Sequence, residues 1–328
     1  MCNIWKMDHS NEATIDEFTG FMKDELFKEV VTVGINGGEP SLVTNLPEYA
    51  NEILKLPKIK GLNIISHGFS KRLLTGELKD IYQACKMKNV GFHVAISLDG
   101  VGEVHNTVRG KKKAFDQTLS TIREVADNQS EYCDSYDLGC TVVAQNIYNL
   151  VELDEFACIN NFKIKYRLGI DNKRIESDLL RNQYTVLDDF LRQSAKEFFH
   201  YQMSRVGSIK DKFKYYAIFN WLNNEVPERM LGCAWKDEGV TLDSRGELYY
   251  CAVASKSIGS LRHDKGVSAF FSEKNIEYRK SIIDNNCNDC IHDYTGRPEL
   301  KYVIKFIYDL YIKRRLSMYL YYVRAKFL

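Results

Sequence analysis

The stretch Val-Val-Thr-Val-Gly-Ile-Asn-Gly-Gly-Glu-Pro at residues 30–40 decides the fold, because a β-branched run passes directly into a glycine-rich turn. The pattern recurs along the chain, where short apolar runs end in polar or glycine residues and alternate with longer amphipathic segments. Such alternation is typical of βα units around a parallel sheet. The predicted strands are Val30–Ile35, Leu62–Ile65, Phe92–Ile96, Leu138–Ala144 and Ile164–Leu168.

The segments between these strands carry apolar residues at helical spacing, with charged residues on the opposite side. The predicted helices are Leu46–Leu56, Gly76–Lys88, Ala114–Asp127 and Leu150–Asn160. Five strands with crossover helices predict an α/β fold that forms a barrel or a partial barrel.

Four regions follow one another along the chain. Residues 1–170 hold the βα units, and residues 171–230 are mostly helical and are expected to bridge two domains. Residues 231–298 form a small cysteine-bearing module, in which Val240–Leu242, a turn at 244–246 and Leu248–Tyr250 predict a β-hairpin. Residues 299–328 predict a basic, aromatic C-terminal helix.

Composition limits the function classes. The 45 basic and 44 acidic residues of the 328 nearly cancel, so no global field favours nucleic acid as a partner. The start of the chain is polar and charged, which argues against a signal peptide, and no apolar run is long enough for a membrane span. We therefore expect a cytoplasmic protein whose nine cysteines are packing residues or metal ligands rather than disulfides.

Two strand ends carry candidate ligand-binding residues. Gly37-Gly38-Glu39-Pro40 would let a ligand approach the backbone closely and would offer a carboxylate to an amino group, although a simple turn explains the same residues. Ser97 and Asp99 of Ser-Leu-Asp-Gly could point to the same side and bind ribose hydroxyls or a carboxylate; the alternative is an Asx turn. His105 and Arg109 follow in what we expect to be a polar loop, where a solvated or structural role is favoured.

The late cysteines predict a metal site. Cys233, Cys251, Cys287 and Cys290 include one C-x-x-C pair, and two of them flank the predicted hairpin. Four thiolates select zinc or an iron–sulfur cluster, while buried, inert thiols are the alternative. The four other cysteines within the chain, namely Cys85, Cys133, Cys140 and Cys158, lack ligand spacing and are interpreted as packing residues.

An ordered set of motifs resembles the radical S-adenosylmethionine enzymes that carry a SPASM or twitch auxiliary-cluster domain. The set consists of Cys2-Asn3-Ile4-Trp5, Gly37-Gly38-Glu39-Pro40, Ser97-Leu98-Asp99-Gly100 and the distal cysteines. The resemblance implies a partial (β/α)6 TIM-like barrel that lacks its first strand, followed by a small cysteine-rich α+β domain and a C-terminal helix. It also implies that the chain begins within the cluster-binding loop, because Cys2 matches the third loop cysteine and the other two would lie three and seven positions earlier.

The resemblance implies cofactors as well. The amino group of S-adenosylmethionine would bind at Gly37, Gly38, Glu39 and Pro40. Its carboxylate and ribose would lie near Ser97 and Asp99. One catalytic [4Fe-4S] cluster, incomplete in this chain, would use Cys2. One auxiliary [4Fe-4S] cluster of the twitch form would use Cys233, Cys251, Cys287 and Cys290, since no cysteine follows Cys290.

The implied activity is that of an oxidoreductase. A 5'-deoxyadenosyl radical would abstract hydrogen from a small polar substrate such as a sugar or aminosugar, with flavodoxin or ferredoxin as the electron donor. The alternatives are a peptide-maturing enzyme of the same family and a non-catalytic protein with a structural metal site. Seven basic residues and one acidic residue between Lys301 and Leu328 could also place the tail on a membrane surface.

Overall fold

The computed structural model of the protein describes residues 9–170 and 188–313. The strands are β1 Thr32–Ile35, β2 Gly61–Ser66, β3 Gly91–Ser97, β4 Ser135–Val142, β5 Ile164–Leu168, β6 Thr241–Leu242, β7 Glu247–Tyr249 and β8 Gly259–Ser260. The α-helices are α1 Ile15–Phe21, α2 Leu46–Ile53, α3 Lys71–Lys88, α4 Glu103–Arg109, α5 Ala114–Asp127, α6 Gln129–Tyr132, α7 Leu150–Ile159, α8 Asp189–Arg205, α9 Ile209–Asn223, α10 Ala234–Asp237, α11 Gly266–Phe271, α12 Glu273–Asn286 and α13 Leu300–Ile307.

The first five strands form one parallel sheet in the order β1-β2-β3-β4-β5. All five predicted strands are present, which confirms the predicted α/β class. One face of the sheet carries large apolar side chains that are at most 1% exposed, among them Leu62, Ile64, Phe92 and Val94. Helices α3 and α5 pack against β3, so this apolar face and the helices form the core.

Helix α4 corrects the expectation of a polar loop around His105 and Arg109. The segment Glu103–Arg109 is helical, and Gly110 ends it in the left-handed conformation at φ 64°. His105 and Val108 lie three residues apart and are both buried. Two buried positions in seven residues are too short a pattern to reveal a helix in the sequence.

Two other helices differ from expectation, one in where it begins and one because it was not predicted. Helix α3 begins at Lys71 rather than Gly76, because buried Leu74 extends its apolar stripe by one turn while the first turn stays exposed. Helix α1 was not predicted, although Thr14 and Glu17 form a capping box at its start.

The predicted hairpin is confirmed. Strands β6 and β7 are antiparallel with Thr241 opposite Tyr249, and Gly246 turns the chain at φ 86°. A third strand that was not predicted, β8, pairs with β7 and completes a small sheet.

The chain divides into two compact units: Met1–Leu187 with Val240–Ile282, and Asp188–Gly239 with Ile283–Leu328. These boundaries cut through the predicted 231–298 module. The hairpin belongs to the first unit because the Ala13 amide donates to the Ser244 carbonyl at 2.6 Å. Cys233 belongs to the second unit, where Gly232 and Gly296 form a β-bridge.

Helices α8 and α9 pack together in the second unit, so residues 188–230 are mostly helical, while their role as a bridge between domains stays a prediction. Cys2, residues 171–187 and residues 314–328 lie outside the described residues, so the predictions for them stay predictions. Across residues 9–170 and 188–313, no helix combines the length and the apolar composition that a membrane crossing needs.

Candidate functional site

Glu39 joins the ends of β1 and β2. Its Oε1 accepts hydrogen bonds from the hydroxyls of Ser41 at 2.7 Å and Ser66 at 2.6 Å, and its Oε2 accepts from the backbone N–H of His67 at 2.8 Å. The side chain is only 5% exposed. Burial of a carboxylate is tolerable when several donors surround it, so Glu39 fixes the shape of this edge of the sheet.

The two glycines before Glu39 leave its backbone accessible. Gly37 has φ 136°, a conformation that favours glycine, and a Cβ placed on Gly37 or Gly38 would meet no heavy atom within 4 Å. Both residues are exposed. The segment therefore presents open backbone polar groups beside a buried carboxylate, which suits a small polar ligand.

His67 is neutral at this edge. Its Nδ1 accepts from the backbone N–H of Phe69 at 3.0 Å, so this nitrogen carries no proton, and the two rings stack with centroids 3.8 Å apart. Burial lowers the pKa of His67; Glu39 opposes this, whereas the charges of Arg109 and Lys111 add to it. The 3.4 Å separation of Nδ1 from Glu39 Oε2 is thus not an ion pair.

Asp99 is fully buried, unlike the expected ligand-facing carboxylate. Its Oδ1 accepts from the Thr141 amide at 2.9 Å, and its Oδ2 lies 2.5 Å from Arg109 Nη2. Ser97 is half-buried and lies two residues earlier, at the end of β3. The two side chains therefore do not share one exposed side, and Asp99 orders the loop rather than facing a ligand.

Two buried residues that sequence reasoning did not place in the site hold the Asp99 loop. His105 Nδ1 accepts from the Asp99 amide at 3.0 Å, and the Asn146 side-chain amide donates to the carbonyls of Asp99 and Thr141, both at 2.9 Å. Burial lowers the pKa of His105 to about 4, although Asp99 opposes the shift. A polar residue eight positions after the end of β3 is too weak a signal to assign such a role from sequence.

The second face of the parallel sheet is polar and is interrupted by glycines. The register aligns Gly34 with Asn63 and His93 across β1, β2 and β3, and it aligns Ser97 with Gly139 across β3 and β4. The inner face of a closed TIM barrel is instead filled with bulky branched residues. The glycines on this face make space for their neighbours: a Cβ on Gly139 would lie 2.7 Å from Arg167 Nη2, and one on Gly34 would lie 2.9 Å from Asn63 Oδ1.

Charges on this face form one network. Asp137 Oδ2 lies 2.5 Å from Lys165 Nζ and 3.4 Å from His93 Nε2, while Ser135 Oγ lies 2.9 Å from His93 Nδ1. Burial would raise the pKa of Asp137, but the hydrogen bonds from His93 and Lys165 outweigh it, and the pKa is lowered. Asp137 is therefore ionised at neutral pH.

Three of the four predicted metal-ligating cysteines lie in the second unit. Cys233, Cys287 and Cys290 are half-buried cysteines. The guanidinium of Arg229 donates to four backbone carbonyls around them, those of Gly232, Cys290, His292 and Tyr294, at 2.8–2.9 Å. We call this arrangement the Arg229 clamp. It fixes the loop that carries Cys290 and the residue before Cys233.

The fourth, Cys251, lies in the first unit, where its sulfur accepts from the Ala254 amide at 3.3 Å. Across the part of the chain that the structure describes, no three His, Cys, Asp or Glu side chains stand where they could hold a metal ion. The four-thiolate site therefore stays a prediction.

The other cysteines follow their packing prediction with one exception. Cys85, Cys133 and Cys140 are at most 1% exposed, and burial raises the pKa of Cys85 and of Cys133 to about 12. Cys158 is exposed and corrects the expectation of a packing role.

The chain has two informative curated relatives, whereas no family model matches it. It is 28% identical over 201 residues to Fe-coproporphyrin III synthase of Methanosarcina barkeri, which covers 58% of this chain and 46% of that protein. It is 26% identical over 297 residues to the antilisterial bacteriocin subtilosin biosynthesis protein AlbA of Bacillus subtilis, which covers 83% of this chain and 57% of that protein. The chain thus spans about half the length of the curated relatives it matches.

Solved structures share the fold. Native anSMEcpe with bound AdoMet superposes with a TM-score of 0.58 at 15% identity and covers 96% of this chain and 92% of that chain. SuiB of Streptococcus suis gives a TM-score of 0.54 at 16% identity, covering 82% and 62%. Another anSMEcpe structure contains AdoMet and a peptide, Kp18Cys. The likeness confirms the predicted fold class.

Proposed function

We propose an activity on the premise that this chain is a radical S-adenosylmethionine enzyme by resemblance, since its motifs, its fold and its relatives agree. S-adenosylmethionine would lie at the edge formed by Gly37-Gly38-Glu39-Pro40 and Ser97. The open backbone at Gly37 and Gly38 is the observation that carries this proposal, because it leaves space beside polar groups that a zwitterionic ligand can bind. When bound with a reduced iron–sulfur cluster, the cofactor supplies the radical chemistry.

The residues of this chain would position the reaction rather than perform it. Glu39 and its donors would hold the cofactor edge, and the substrate would lie over the polar second face of the sheet near Ser97. Contact between the two reactants is the main contribution a protein makes to such chemistry. The protein would act as an oxidoreductase whose reaction begins with abstraction of a hydrogen atom from the substrate.

A peptide is our first choice of substrate. One relative is named for bacteriocin biosynthesis, and one solved structure with this fold holds a peptide beside AdoMet. A sugar or aminosugar, which the sequence alone favoured, has no support among these proteins and ranks second.

The distal cysteines would bind the auxiliary cluster, and the Arg229 clamp, which holds the carbonyls of Cys290 and Gly232, would order the segments that carry Cys290 and Cys233. Cys2 would belong to the catalytic cluster. The protein would receive electrons from a donor such as flavodoxin or ferredoxin. It would act in the cytoplasm.

Anaerobic reconstitution with iron and sulfide tests the cluster assignment. We expect Cys287→Ser to lose about four irons per chain, the content of one [4Fe-4S] cluster. Cys158→Ser is the matched control, because Cys158 is exposed and lies outside the proposed set. Equal iron in Cys287→Ser and wild type, or zinc in place of iron, would count against an auxiliary cluster. Binding of S-adenosylmethionine to the reconstituted protein tests the cofactor assignment; release of methionine would also need the two loop cysteines that the resemblance places before Cys2.

Peripheral membrane contact is a further proposal for the C-terminal helix. In α13, Leu300 is 72% exposed and Ile304 is 58% exposed, and they lie on one stripe with Tyr308. Lys301 and Lys305 flank this stripe. An apolar stripe with flanking cations suits the surface of an anionic membrane.

A further inference from the structure

A chain of hydrogen bonds runs from the Asp99 loop at the end of β3 to Glu39 at the end of β1. It passes through His105 on α4, Thr118 on α5 and the backbone of His67 after β2. We call these five residues the relay. The Glu39 end of the relay lies in the proposed cofactor edge, and the Asp99 end lies two residues after Ser97, which also belongs to that edge. The middle members are buried: His105 and Thr118 are 0% exposed.

The protons of the relay have one consistent arrangement. His105 Nδ1 accepts from the Asp99 amide, so the ring proton is assigned to Nε2, which lies 3.4 Å from Thr118 Oγ1. The Thr118 hydroxyl then donates to the His67 carbonyl at 2.9 Å, and the His67 amide donates to Glu39 Oε2 at 2.8 Å. Each donor has an acceptor, and the direction of donation is fixed by the neutral imidazole.

The relay fixes His67 from both sides. Its amide is held by Glu39 and its carbonyl by Thr118, so both backbone torsions of this residue are constrained. The next residue, Gly68, turns the chain at φ 70°, and its carbonyl accepts from Thr121 at 2.7 Å. Movement of Thr118 would therefore be passed to the carboxylate of Glu39.

We infer that His105 and Thr118 are positioning residues that set the Glu39 end of the cofactor edge from the Asp99 end, although neither side chain is exposed to a ligand. The inference rests on the proposed function, because it takes S-adenosylmethionine as the ligand of that edge. It predicts that removing one buried hydroxyl weakens cofactor binding at a distance.

Thr118→Val tests this, because valine has nearly the same shape but no hydroxyl. Thr118→Ser restores the hydroxyl and is the rescue variant. Thr121→Val is the matched control: Thr121 is also 0% exposed and lies on the same helix, but its hydroxyl bonds to the Gly68 carbonyl, outside the relay. All variants are made in the full chain.

Two measurements test whether Thr118 positions the Glu39 end of the cofactor edge. Amide exchange at His67, followed by NMR without cofactor, should be at least about tenfold faster in Thr118→Val, as expected for a lost local restraint, and near wild type in Thr118→Ser and Thr121→Val. The dissociation constant for S-adenosylmethionine should rise about threefold to tenfold in Thr118→Val only, the effect of about one hydrogen bond.

The outcomes separate the two proposals. If the wild-type chain binds S-adenosylmethionine and Thr118→Val binds it equally well, or if Thr121→Val weakens binding as much, the inference is overturned and the proposed function stands. If the wild-type chain reconstituted with its clusters binds no S-adenosylmethionine, the proposed function fails and the inference fails with it.

Discussion

Replacing Arg229 with methionine should destabilise the second unit by about 3 kcal/mol. Of the four hydrogen bonds in the Arg229 clamp, those to Gly232, Cys290 and His292 are partly buried, and the one to Tyr294 is exposed. Each buried bond to a charged donor contributes about 1.5–3 kcal/mol, which partial hydration reduces to about 1 kcal/mol, and the exposed bond contributes little. Three partly buried bonds therefore give the total.

Tryptophan fluorescence during urea unfolding measures this change. The chain has three tryptophans, and two of them report on the clamped loop: Trp221 donates to the Asp289 carbonyl at 2.7 Å, and Trp235 stacks on Tyr294 at 4.2 Å. Changing Trp5 to phenylalanine in every variant leaves only these two reporters. The free energy of unfolding follows from the midpoint and the slope of the transition.

Arg192→Met is the matched control. Arg192 also donates to three backbone carbonyls in the second unit, those of Trp221, Leu222 and Asn224, which lie in α9 and at its C-terminal end. Both variants should lower the free energy of unfolding, while only Arg229→Met should speed amide exchange in residues 288–296. A loss below about 0.5 kcal/mol in Arg229→Met, which is the range of ordinary surface changes, would refute the reasoning.

Three further predictions concern charge and exposure. Burial, and to a smaller extent the charge of Glu39, raises the pKa of Glu77 from 4.5 to about 7. The free energy of unfolding of the wild type should therefore fall by about 1 kcal/mol as the pH rises from 4.5 to about 7, a value that is discounted for solvent screening. Glu77→Gln should abolish that loss in urea titrations, and an unchanged pH slope would contradict it. Lys165→Met should lower the free energy of unfolding by about 1–2 kcal/mol, because Asp137 keeps His93 as a weaker partner. Adding Asp137→Asn should recover about half of that loss, and no recovery in thermal unfolding would argue against the Asp137–Lys165 pair. Ile304→Ser should weaken sedimentation with anionic phosphatidylglycerol vesicles several-fold, and equal sedimentation would remove the membrane proposal.

The fold could be predicted because its signals are local. The strands of the parallel sheet contain short apolar runs, and helices α3, α5 and α7 show their apolar stripe over ten or more residues. Helix α4 escaped prediction because seven residues that include His105 and Arg109 read as polar until the burial of His105 is known. Helix existence was thus predictable where length allowed a period to repeat.

The site was predictable only in part. Gly37-Gly38-Glu39-Pro40 has a distinctive sequence, and the structure places it at the end of β1 as expected. The partners of Glu39 come from Ser66 and His67, 27 and 28 residues later, and no local pattern marks them. The carboxylate of Asp99 is held by Arg109 on α4 and by the Thr141 amide on β4, 42 residues later, so its spacing from Ser97 could not show which way it points.

The edges of the parallel sheet have a practical consequence. Within the described residues, β1 pairs only with β2, so one side of Thr32–Ile35 keeps unpaired amides and carbonyls, and Thr32 and Gly34 are exposed. At the other edge, β5 carries Lys165 and Arg167, charges that discourage chance pairing with another chain. Strand β1 has no charged residue, so its short length is what limits pairing with another chain. Self-association through β1 at high concentration is the behaviour to guard against when the protein is expressed and purified.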